Sequence, residues 1–330
     1  MKKILLLSTG GTISSVSSES GLIPSNTNNS FINLLSDNES QLDVKSILTL
    51  DSSNIQPEEW KIIAQEIFDN LPNYNGIIVA HGTDTMAYTA SMITFMVQNP
   101  NIPIVFTGSQ LPLSHPLTDA IDNLKCAFAM AKSACPGVFL AFNRKIMFGC
   151  RAVKARTSSF DAFETINFKV FGKVSSSGLI LREHMLKENK EKPSLHLNIN
   201  TNVFLLKLTP TTNPSIIPLL ITFGIKGIVI EAYGAGGISY MRRNFIDEIK
   251  KAIDLGVPIV VASQCLYERS NFNIYEVGTK VLATGAIEAF DMTSEAAVTK
   301  LMYALGKTDD LALIKKIFLT PIAQEINTEN

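Results

Sequence analysis

Short apolar runs alternate with longer amphipathic stretches along the first half of the chain. Trp60, Ile63, Ala64 and Ile67 recur at the spacing of one helix face, and the segment that holds them starts with Pro57, which suits a first helical turn. Such alternation is typical of a mostly parallel α/β sheet. The pattern predicts strands at 4–7, 76–80, 102–107 and 137–142, and helices at 57–71, 84–98 and 119–133.

The alternation stops at 182–194, where charged residues dominate as in a solvated linker, and then restarts. The second part of the pattern predicts strands at 203–208, 227–231 and 258–263, and helices at 242–255 and 294–305. A chain of 330 residues also favours two domains over one core. We therefore expect a larger Rossmann-like N-terminal α/β domain at 1–185, a linker at 186–201 and a smaller C-terminal α/β domain at 202–330.

Composition excludes several classes of function. With 18% charged residues and a net charge of −1, the chain offers no basic surface for nucleic acid. None of the four cysteines belongs to a CxxC pair or has a histidine nearby at ligand spacing, so we expect neither a disulfide framework nor a metal site. The apolar run at 4–7 is short for a signal peptide, and no run approaches the roughly 18 apolar residues of a membrane span. We therefore expect a cytoplasmic protein without a membrane partner.

Polar clusters follow three of the predicted strands, where parallel sheets bind ligands. They are TGGTI at 9–13, HGTDT at 81–85 and TGSQ at 107–110. Each pairs a hydroxyl residue with a glycine, which lets the backbone approach a ligand and present N–H groups to it. Because GxGxxG and GK[ST] are both absent, nucleotide binding is poorly supported, and we expect no cofactor.

The hydroxyl groups in these clusters have no histidine base that the sequence can identify. Of the four histidines, His81 ends a strand and is better interpreted as a structural group bonded to backbone, so a Ser-His-Asp triad is poorly supported. A lysine is the other standard activator of a hydroxyl. Lys154 lies in the basic stretch 151–157, and taken alone it is either such a base or a solvated charge.

Together these motifs resemble the bacterial-type L-asparaginase family, and most closely its cytoplasmic, type I-like branch. The resemblance spans essentially the whole chain and implies hydrolysis of L-asparagine to L-aspartate and ammonia, with no cofactor, in a homodimer or homotetramer. The matching stretches are TGGTI at 9–13, HGTDTM at 81–86, GSQ at 108–110, RAVKARTSSFDAF at 151–163, IEAYGAGG at 230–237 and AFDMTSEAAVTKLMYALG at 289–306.

The resemblance also implies roles for individual residues. Thr12 matches the nucleophile, and Thr83, Asp84 and Lys154 match a second triad in which Lys154 draws a proton from Thr83. Ser52 matches the residue that binds the substrate carboxylate, and Asp84 also binds its ammonium. The expected substrate-binding residues are Asp51, Ser52, Gly11, Gly82 and Ser109.

At two positions the chain departs from the family pattern. Leu22 stands where members usually carry a tyrosine that polarises the nucleophile, and Gly237 lies near the place of an asparagine that many members contribute from a neighbouring subunit. The segment 16–30 around Leu22 is rich in Ser, Asn and Thr, and we expect it to be a mobile loop that closes over substrate. Alternatives for the missing phenol are Ser14, Ser15, Tyr240, Tyr267 and Tyr275.

Two other functions remain open from the sequence. The chain also resembles the asparaginase-like subunit of a tRNA-dependent amidotransferase, although those subunits carry a further domain before the TGGT strand, which here begins at Ile4. A non-catalytic amino-acid sensor is the other alternative, favoured only by Leu22. The presence of all four candidate catalytic residues favours the enzyme.

Overall fold

The computed structural model describes residues 1–18, 21–24, 28–35, 39–186 and 191–327. They form two compact units, Met1–Leu197 and Asn198–Asn330. The architecture is the expected one, since each unit is built on a sheet of parallel strands flanked by helices. No helix in the part of the chain covered by the structure is both long and apolar enough to cross a bilayer.

The first unit contains strands and helices in alternation. Its strands are β1 Lys2–Gly10, β2 Ser15–Ser18, β3 Gly21–Pro24, β4 Ser40–Leu50, β5 Gly76–Ala80, β6 Val97–Gln98, β7 Pro103–Thr107, β8 Gly137–Phe142, β9 Lys145–Phe148, β10 Ala152–Lys154, β11 Phe163–Thr165, β12 Gly172–Ser175, β13 Gly178–Leu181 and β14 Ser194–Leu195. Its helices are α1 Asn28–Leu35, α2 Pro57–Asn70, α3 Met86–Met96 and α4 Ala120–Ala131, with 3-10 turns at Thr12–Ser14, Ser52–Asn54, Gly149–Arg151 and Glu183–Met185.

The main sheet of this unit runs in the order β13-β12-β9-β8-β7-β5-β1-β4. Strands β4, β1, β5, β7 and β8 are parallel to one another. At the other end of the sheet, β9, β12 and β13 pair in antiparallel fashion. Strands β5 and β7 are buried along their whole length, which explains their unbroken apolar sequences, because helices cover both faces of a parallel sheet. The parallel arrangement brings the carboxyl ends of β1, β4, β5 and β7 to one edge.

Local sequence explains where the helices begin. Helix α2 starts with Pro57 after a capping box, in which the backbone N–H of Gln56 donates to Glu59 Oε2 at 2.8 Å. Its buried face holds Trp60, whose indole N–H donates to Thr89 Oγ1 on α3 at 3.0 Å. This bond satisfies the only polar atom of a buried indole and fixes α2 against α3.

The second unit has one parallel sheet in the order β15-β16-β17-β18. Its strands are β15 Val203–Lys207, β16 Gly227–Ala232, β17 Ile259–Ser263 and β18 Ile287–Glu288, and its helices are α5 Ile216–Thr222, α6 Phe245–Asp254, α7 Glu276–Ala283, α8 Ser294–Leu305 and α9 Leu311–Leu319. Helix α8 begins at the Thr293 cap and buries nearly its whole surface.

Some predicted elements differ from the structure. The helix predicted at 84–98 ends at Met96, because Val97 and Gln98 form β6 and pair with β14, which lies inside the segment interpreted as a linker. The segment 16–30 was predicted to be a loop, but in its described backbone β2 pairs with β3 and α1 begins at Asn28, while residues 19–20 and 25–27 lie outside the described residues. Its closure over substrate stays a prediction. Strand β4 was not predicted, since it is a half-exposed edge strand without an apolar run. The proposed domain boundaries stay a prediction.

Candidate active site

The glycine-rich turns after β1 and β5 are in direct backbone contact. Gly10 and Gly11 both have positive φ angles, of 103° and 76°, and Gly11 donates its N–H to the Leu50 carbonyl at 2.9 Å. A Cβ on Gly11 would lie 2.5 Å from both the nitrogen and the Cα of Gly82. Only glycine fits at this contact. Thr12 directly follows Gly11 and Thr83 directly follows Gly82, so the contact puts the two threonines on adjoining turns.

The turn after β4 joins the same cluster. A Cβ on Gly82 would lie 2.7 Å from both Cβ and Oγ of Ser52, a residue that is only 2% exposed. The Ser52 hydroxyl accepts the N–H of Asp84 at 3.2 Å, and the Ser52 carbonyl accepts the Thr85 hydroxyl at 2.7 Å. The ends of β4 and β5 are therefore held together by both backbone and side-chain contacts.

Lys154 joins this cluster from β10. Its ammonium Nζ lies 2.8 Å from Thr83 Oγ1 and 2.6 Å from Asp84 Oδ1, although it is about 70 residues distant in sequence. The side chain of Lys154 is 17% exposed and that of Asp84 is 63% exposed, so the lysine is largely shielded while the carboxylate faces solvent. Thr83 itself is buried. Three of the four predicted catalytic residues thus meet in hydrogen-bonding contact.

Asp51 lies beside this group on an exposed turn. Its Oδ1 accepts the backbone N–H of Ser53 at 2.8 Å and the Ser53 hydroxyl at 2.6 Å. These hydrogen bonds to Ser53, with a smaller contribution from the positive charge of Lys154, lower the pKa of the Asp51 carboxyl despite partial burial. Asp51 is consequently held as an anion close to Lys154.

The turn after β7 contributes Ser109 and Gln110. Ser109 is buried, and its hydroxyl donates to the Leu111 carbonyl at 2.5 Å. Gln110 Oε1 lies 3.4 Å from Thr83 Oγ1, so the side chain of this turn that reaches Thr83 is Gln110. The GSQ motif alone offered no reason to distinguish Gln110 from its neighbours.

His81 is buried below these turns. Its Nδ1 lies 2.7 Å from the Gly82 carbonyl, which requires the proton to be on Nδ1, and among the described residues Nε2 has no hydrogen-bond partner. Burial lowers the pKa of His81 to about 4, from an ordinary value of 6.5, and the bond to Gly82 offsets this only in part. The prediction that His81 bonds to backbone is confirmed, and the ring is neutral at pH 7.

The remaining candidates are Thr12 and the alternatives for the missing phenol. Thr12 is half-buried at the start of the 3-10 turn after Gly11. The side chains of Ser14, Ser15 and Leu22 lie outside the described residues. The three tyrosines proposed as alternatives, Tyr240, Tyr267 and Tyr275, belong to the second unit.

The arrangement suits acyl-transfer chemistry. Thr12 and Thr83 follow adjoining glycine turns, and the hydroxyl of Thr83 is bonded to a lysine. Nowhere in the described part of the chain do three or more His, Cys, Asp or Glu side chains converge as metal ligands would.

Comparisons with known proteins match both units. The family model described as "Asparaginase, N-terminal" matches residues 3–186, and the model described as "Glutaminase/Asparaginase C-terminal domain" matches residues 202–318. An L-asparaginase from Thermococcus kodakarensis is 39% identical over 327 residues, which cover 98% of this chain and 99% of that protein. A glutamyl-tRNA(Gln) amidotransferase subunit from Sulfurisphaera tokodaii is 37% identical over 343 residues, covering 98% of this chain and 75% of that protein.

Solved structures give the same result. The structure of the thermostable L-asparaginase from Thermococcus kodakarensis has a TM-score of 0.94 at 38% identity and covers 99% of this chain and all of that one (100%). The structure of L-asparaginase I from Vibrio cholerae has a TM-score of 0.88 at 26% identity, with 99% of each chain covered. The fold class expected from the sequence is thereby confirmed.

Proposed function

The chain belongs to the asparaginase family, and on that basis we propose that it hydrolyses L-asparagine to L-aspartate and ammonia through a threonine nucleophile. Both family domains are matched over most of the chain, and an L-asparaginase aligns with nearly its full length. The observation that supports the mechanism most directly is the contact between the Gly11 and Gly82 turns, because Thr12 and Thr83 follow these glycines in sequence and Thr83 is bonded to Lys154.

In the first half-reaction Thr12 Oγ attacks the side-chain amide carbon of asparagine. The electron pair of the C=O bond moves onto oxygen, and the hydroxyl proton of Thr12 is passed to the amide nitrogen. The C–N bond then breaks, ammonia leaves and a β-aspartyl ester of Thr12 remains. In the second half-reaction water attacks this ester, its proton returns to Thr12 Oγ, and L-aspartate is released.

The cluster of Thr83, Asp84 and Lys154 carries out the proton transfers. Lys154 accepts the proton of the Thr83 hydroxyl over 2.8 Å, and Thr83 in turn accepts the proton of the attacking group. Asp84, 2.6 Å from Lys154 Nζ, stabilises the ammonium that forms. General acid-base catalysis of this kind contributes roughly 10²–10⁴-fold in rate.

Backbone N–H groups of the Gly11 and Gly82 turns stabilise the oxyanion. Their positions are fixed because neither glycine has room for a Cβ. Losing one such donor typically costs about 3 kcal/mol of transition-state stabilisation.

The α-amino and α-carboxylate groups of the substrate need charged and hydroxyl partners. We assign the ammonium to the carboxylates of Asp84 and Asp51, which face solvent beside the cluster. Ser52 binds the carboxylate, and Ser109 supports the turn after β7. The enzyme works in the cytoplasm as a homodimer or homotetramer, as the family resemblance implies.

The amidotransferase subunit is a second candidate, because the chain is 37% identical to such a subunit while spanning 75% of its length. Such a subunit would hydrolyse an amide by the same chemistry and pass the ammonia to a partner enzyme. Ammonia release is measured for the purified chain with and without tRNA. An equal rate without tRNA supports the asparaginase over the amidotransferase subunit.

The test is ammonia release from L-asparagine and L-glutamine by the purified protein and by Thr12→Ala. We expect turnover of L-asparagine that is lost in Thr12→Ala and retained in Thr201→Ala, a change at an exposed threonine of the second unit. Full activity in Thr12→Ala would reject the nucleophile. Tight asparagine binding without ammonia release would instead identify a sensor.

A further inference from the structure

Gln110 makes contacts that the proposed mechanism does not use. Its side-chain NH₂ group donates to the carbonyls of Thr157 and Ser159, at 2.9 Å and 3.0 Å. Both carbonyls belong to the turn that follows Lys154 in sequence. The other end of the amide, Oε1, lies 3.4 Å from the Thr83 hydroxyl.

These contacts fix the direction of the amide. A flipped amide would place Oε1 against two carbonyl oxygens, which cannot donate to it, and would leave both N–H groups without these acceptors. Gln110 therefore presents an acceptor, not a donor, to Thr83.

The backbone of Gln110 is held equally firmly. Its N–H donates to both carboxylate oxygens of Asp119 at 3.0 Å, and Asp119 also accepts the Leu111 N–H at 3.1 Å. Asn123, one turn into α4, donates to the Gly108 carbonyl at 3.0 Å and to Asp119 at 3.0 Å. The position of Oε1 is thus set by helix α4 on one side and by the turn after Lys154 on the other.

We propose that Gln110 is a positioning residue that sets the protonation balance of Lys154 by acting as the acceptor for the Thr83 hydroxyl. When Lys154 is an ammonium it donates to Thr83 Oγ1, and the Thr83 proton then points to Gln110 Oε1. When Lys154 is a neutral amine the same hydroxyl turns to donate to Nζ. The Gln110 acceptor therefore favours the ammonium form and resists premature deprotonation. This inference rests on the proposed function in one respect, the claim that the protonation balance of Lys154 controls turnover.

Several charged groups surround Lys154. Asp84 and Asp51 lie on the turns after β5 and β4. On the β10–β11 side, Arg156 pairs with Glu164 at 2.5 Å and lies 3.9 Å from Asp161, which itself pairs with Lys145. A change at Gln110 leaves all of these charged side chains in the protein, so a shift in Lys154 titration in a Gln110 variant is measured against the same set of charges.

Two substitutions give shifts of opposite sign. Gln110→Glu keeps an acceptor and adds a negative charge near Lys154, so Lys154 should lose its proton at higher pH than in the wild type, since an opposite charge within hydrogen-bonding range stabilises the charged form. Gln110→Met has similar length but neither charge nor acceptor, so the Thr83 proton turns to Nζ and Lys154 should lose its proton at lower pH. The added charge acts in Gln110→Glu whatever the role of Gln110, so the downward shift in Gln110→Met is the deciding result.

The measurement is the titration of Lys154 by NMR in protein labelled with ¹³Cε-lysine, the signal being assigned by its loss in Lys154→Met. Asn101→Asp is the control, because it adds the same charge at the opposite end of β7, roughly 16 Å along the strand and beyond the Debye length of ~10 Å at 0.1 M salt. A lower midpoint in Gln110→Met, with no shift in the control, establishes the proposal, and the rise in Gln110→Glu shows that the assigned signal senses position 110. An unchanged or higher midpoint in Gln110→Met overturns it.

The same variants are then assayed for ammonia release. The acid limb of the pH profile for kcat/KM should move up by about one unit in Gln110→Glu, giving roughly tenfold lower activity on that limb. If the NMR midpoints shift but wild-type protein releases no ammonia, the proposed function fails while the role of Gln110 stands. If wild-type protein is active and the midpoints do not move, only the role of Gln110 fails.

Discussion

Gly11 and Gly82 touch backbone to backbone, with room for no side chain between them. A Cβ on Gly11 would lie 2.5 Å from two backbone atoms of Gly82, and a Cβ on Gly82 would in turn lie 2.7 Å from Ser52. Because Thr12 and Thr83 follow these glycines directly, the distance between the two hydroxyl-bearing turns depends on this contact. The relationship gives a sharp test of how far catalysis depends on backbone placement.

We expect Gly11→Ala to lower kcat/KM by about 10²-fold or more, since misplacing reacting groups by about 1 Å has effects of that size. The matched control is Gly178→Ala, because Gly178 also has a positive φ, 91°, but nothing lies within 4 Å of its added Cβ. The control carries backbone strain of about 1 kcal/mol and should keep full activity. Equal activity in both variants would contradict the argument. Ammonia release and thermal unfolding are measured on each.

Lys154→Met should lower kcat by roughly 10²–10⁴-fold with a smaller change in KM, because it removes the proton acceptor of Thr83 while leaving the binding carboxylates in place. Lys145→Met is the control, since Lys145, on β9, also forms an ion pair at 2.6 Å, with Asp161. Steady-state kinetics on both variants checks the expectation. A large loss in the control would mean that charge balance, not the contact with Thr83, accounts for the effect.

The free energy of unfolding should fall as the pH is lowered from 6.5 to 4, partly because of His81. Burial lowers the pKa of His81 to about 4, so between these values the unfolded chain binds a proton that the folded chain excludes. The contribution is on the order of 3 kcal/mol, fully present above pH 6.5 and lost as the pH falls towards 4.

His81→Asn should flatten this part of the pH dependence, because the asparagine amide supplies an N–H for the Gly82 carbonyl without titrating. His184→Asn, at an exposed histidine, should leave the dependence as in the wild type. Urea unfolding at several pH values compares the three proteins. Parallel curves for wild type and His81→Asn would show that His81 is charged or solvated near neutral pH.

The second unit contains a fully buried ion pair. Lys300 Nζ lies 2.5 Å from Glu325 Oε1, both side chains are 0% exposed, and Glu325 also accepts the N–H groups of Ile322 and Ala323 at 2.8 Å. Burial alone would raise the pKa of Glu325, but Lys300 and these N–H donors together hold it below its ordinary value.

We expect Lys300→Met to destabilise the protein by about 3–5 kcal/mol, because it leaves the Glu325 carboxylate buried without its counter-charge. The double variant Lys300→Met, Glu325→Gln should recover part of this loss, since the amide oxygen still accepts one of the two backbone N–H groups and the side chain carries no charge. Lys316→Met, on the exposed side of α9, is the control and should be neutral within about 0.5 kcal/mol. Denaturant titrations measure all three, and a double variant no more stable than the single one would contradict the electrostatic explanation.

The sequence predicted the buried parts of the sheet better than its edge. Strands such as β5 and β7 are recognisable because both faces are covered and the whole run is apolar. Strand β4 alternates between half-buried and exposed positions, so its sequence lacks that signal. As a result, Asp51 and Ser52 at its end were identified only through the resemblance to the family.

The candidate site shows the same limit. The glycine turns could be located from sequence, because a glycine and a hydroxyl residue follow three of the buried strands. The bond between Lys154 and Thr83 spans 71 residues, and local patterning carries no information about such a contact. The role of Gln110 depends on which carbonyls its amide reaches, and that is decided by the path of the turn after Lys154.

The buried pair of Lys300 and Glu325 also imposes an order on events during translation. Helix α8 leaves the ribosome before Glu325 does, because the glutamate is 25 residues later in the chain. Until it emerges, packing α8 would enclose a bare ammonium, at a free-energy cost of several kcal/mol. The second unit therefore completes its core only after synthesis has passed residue 325, whereas the first unit is free to fold on the nascent chain.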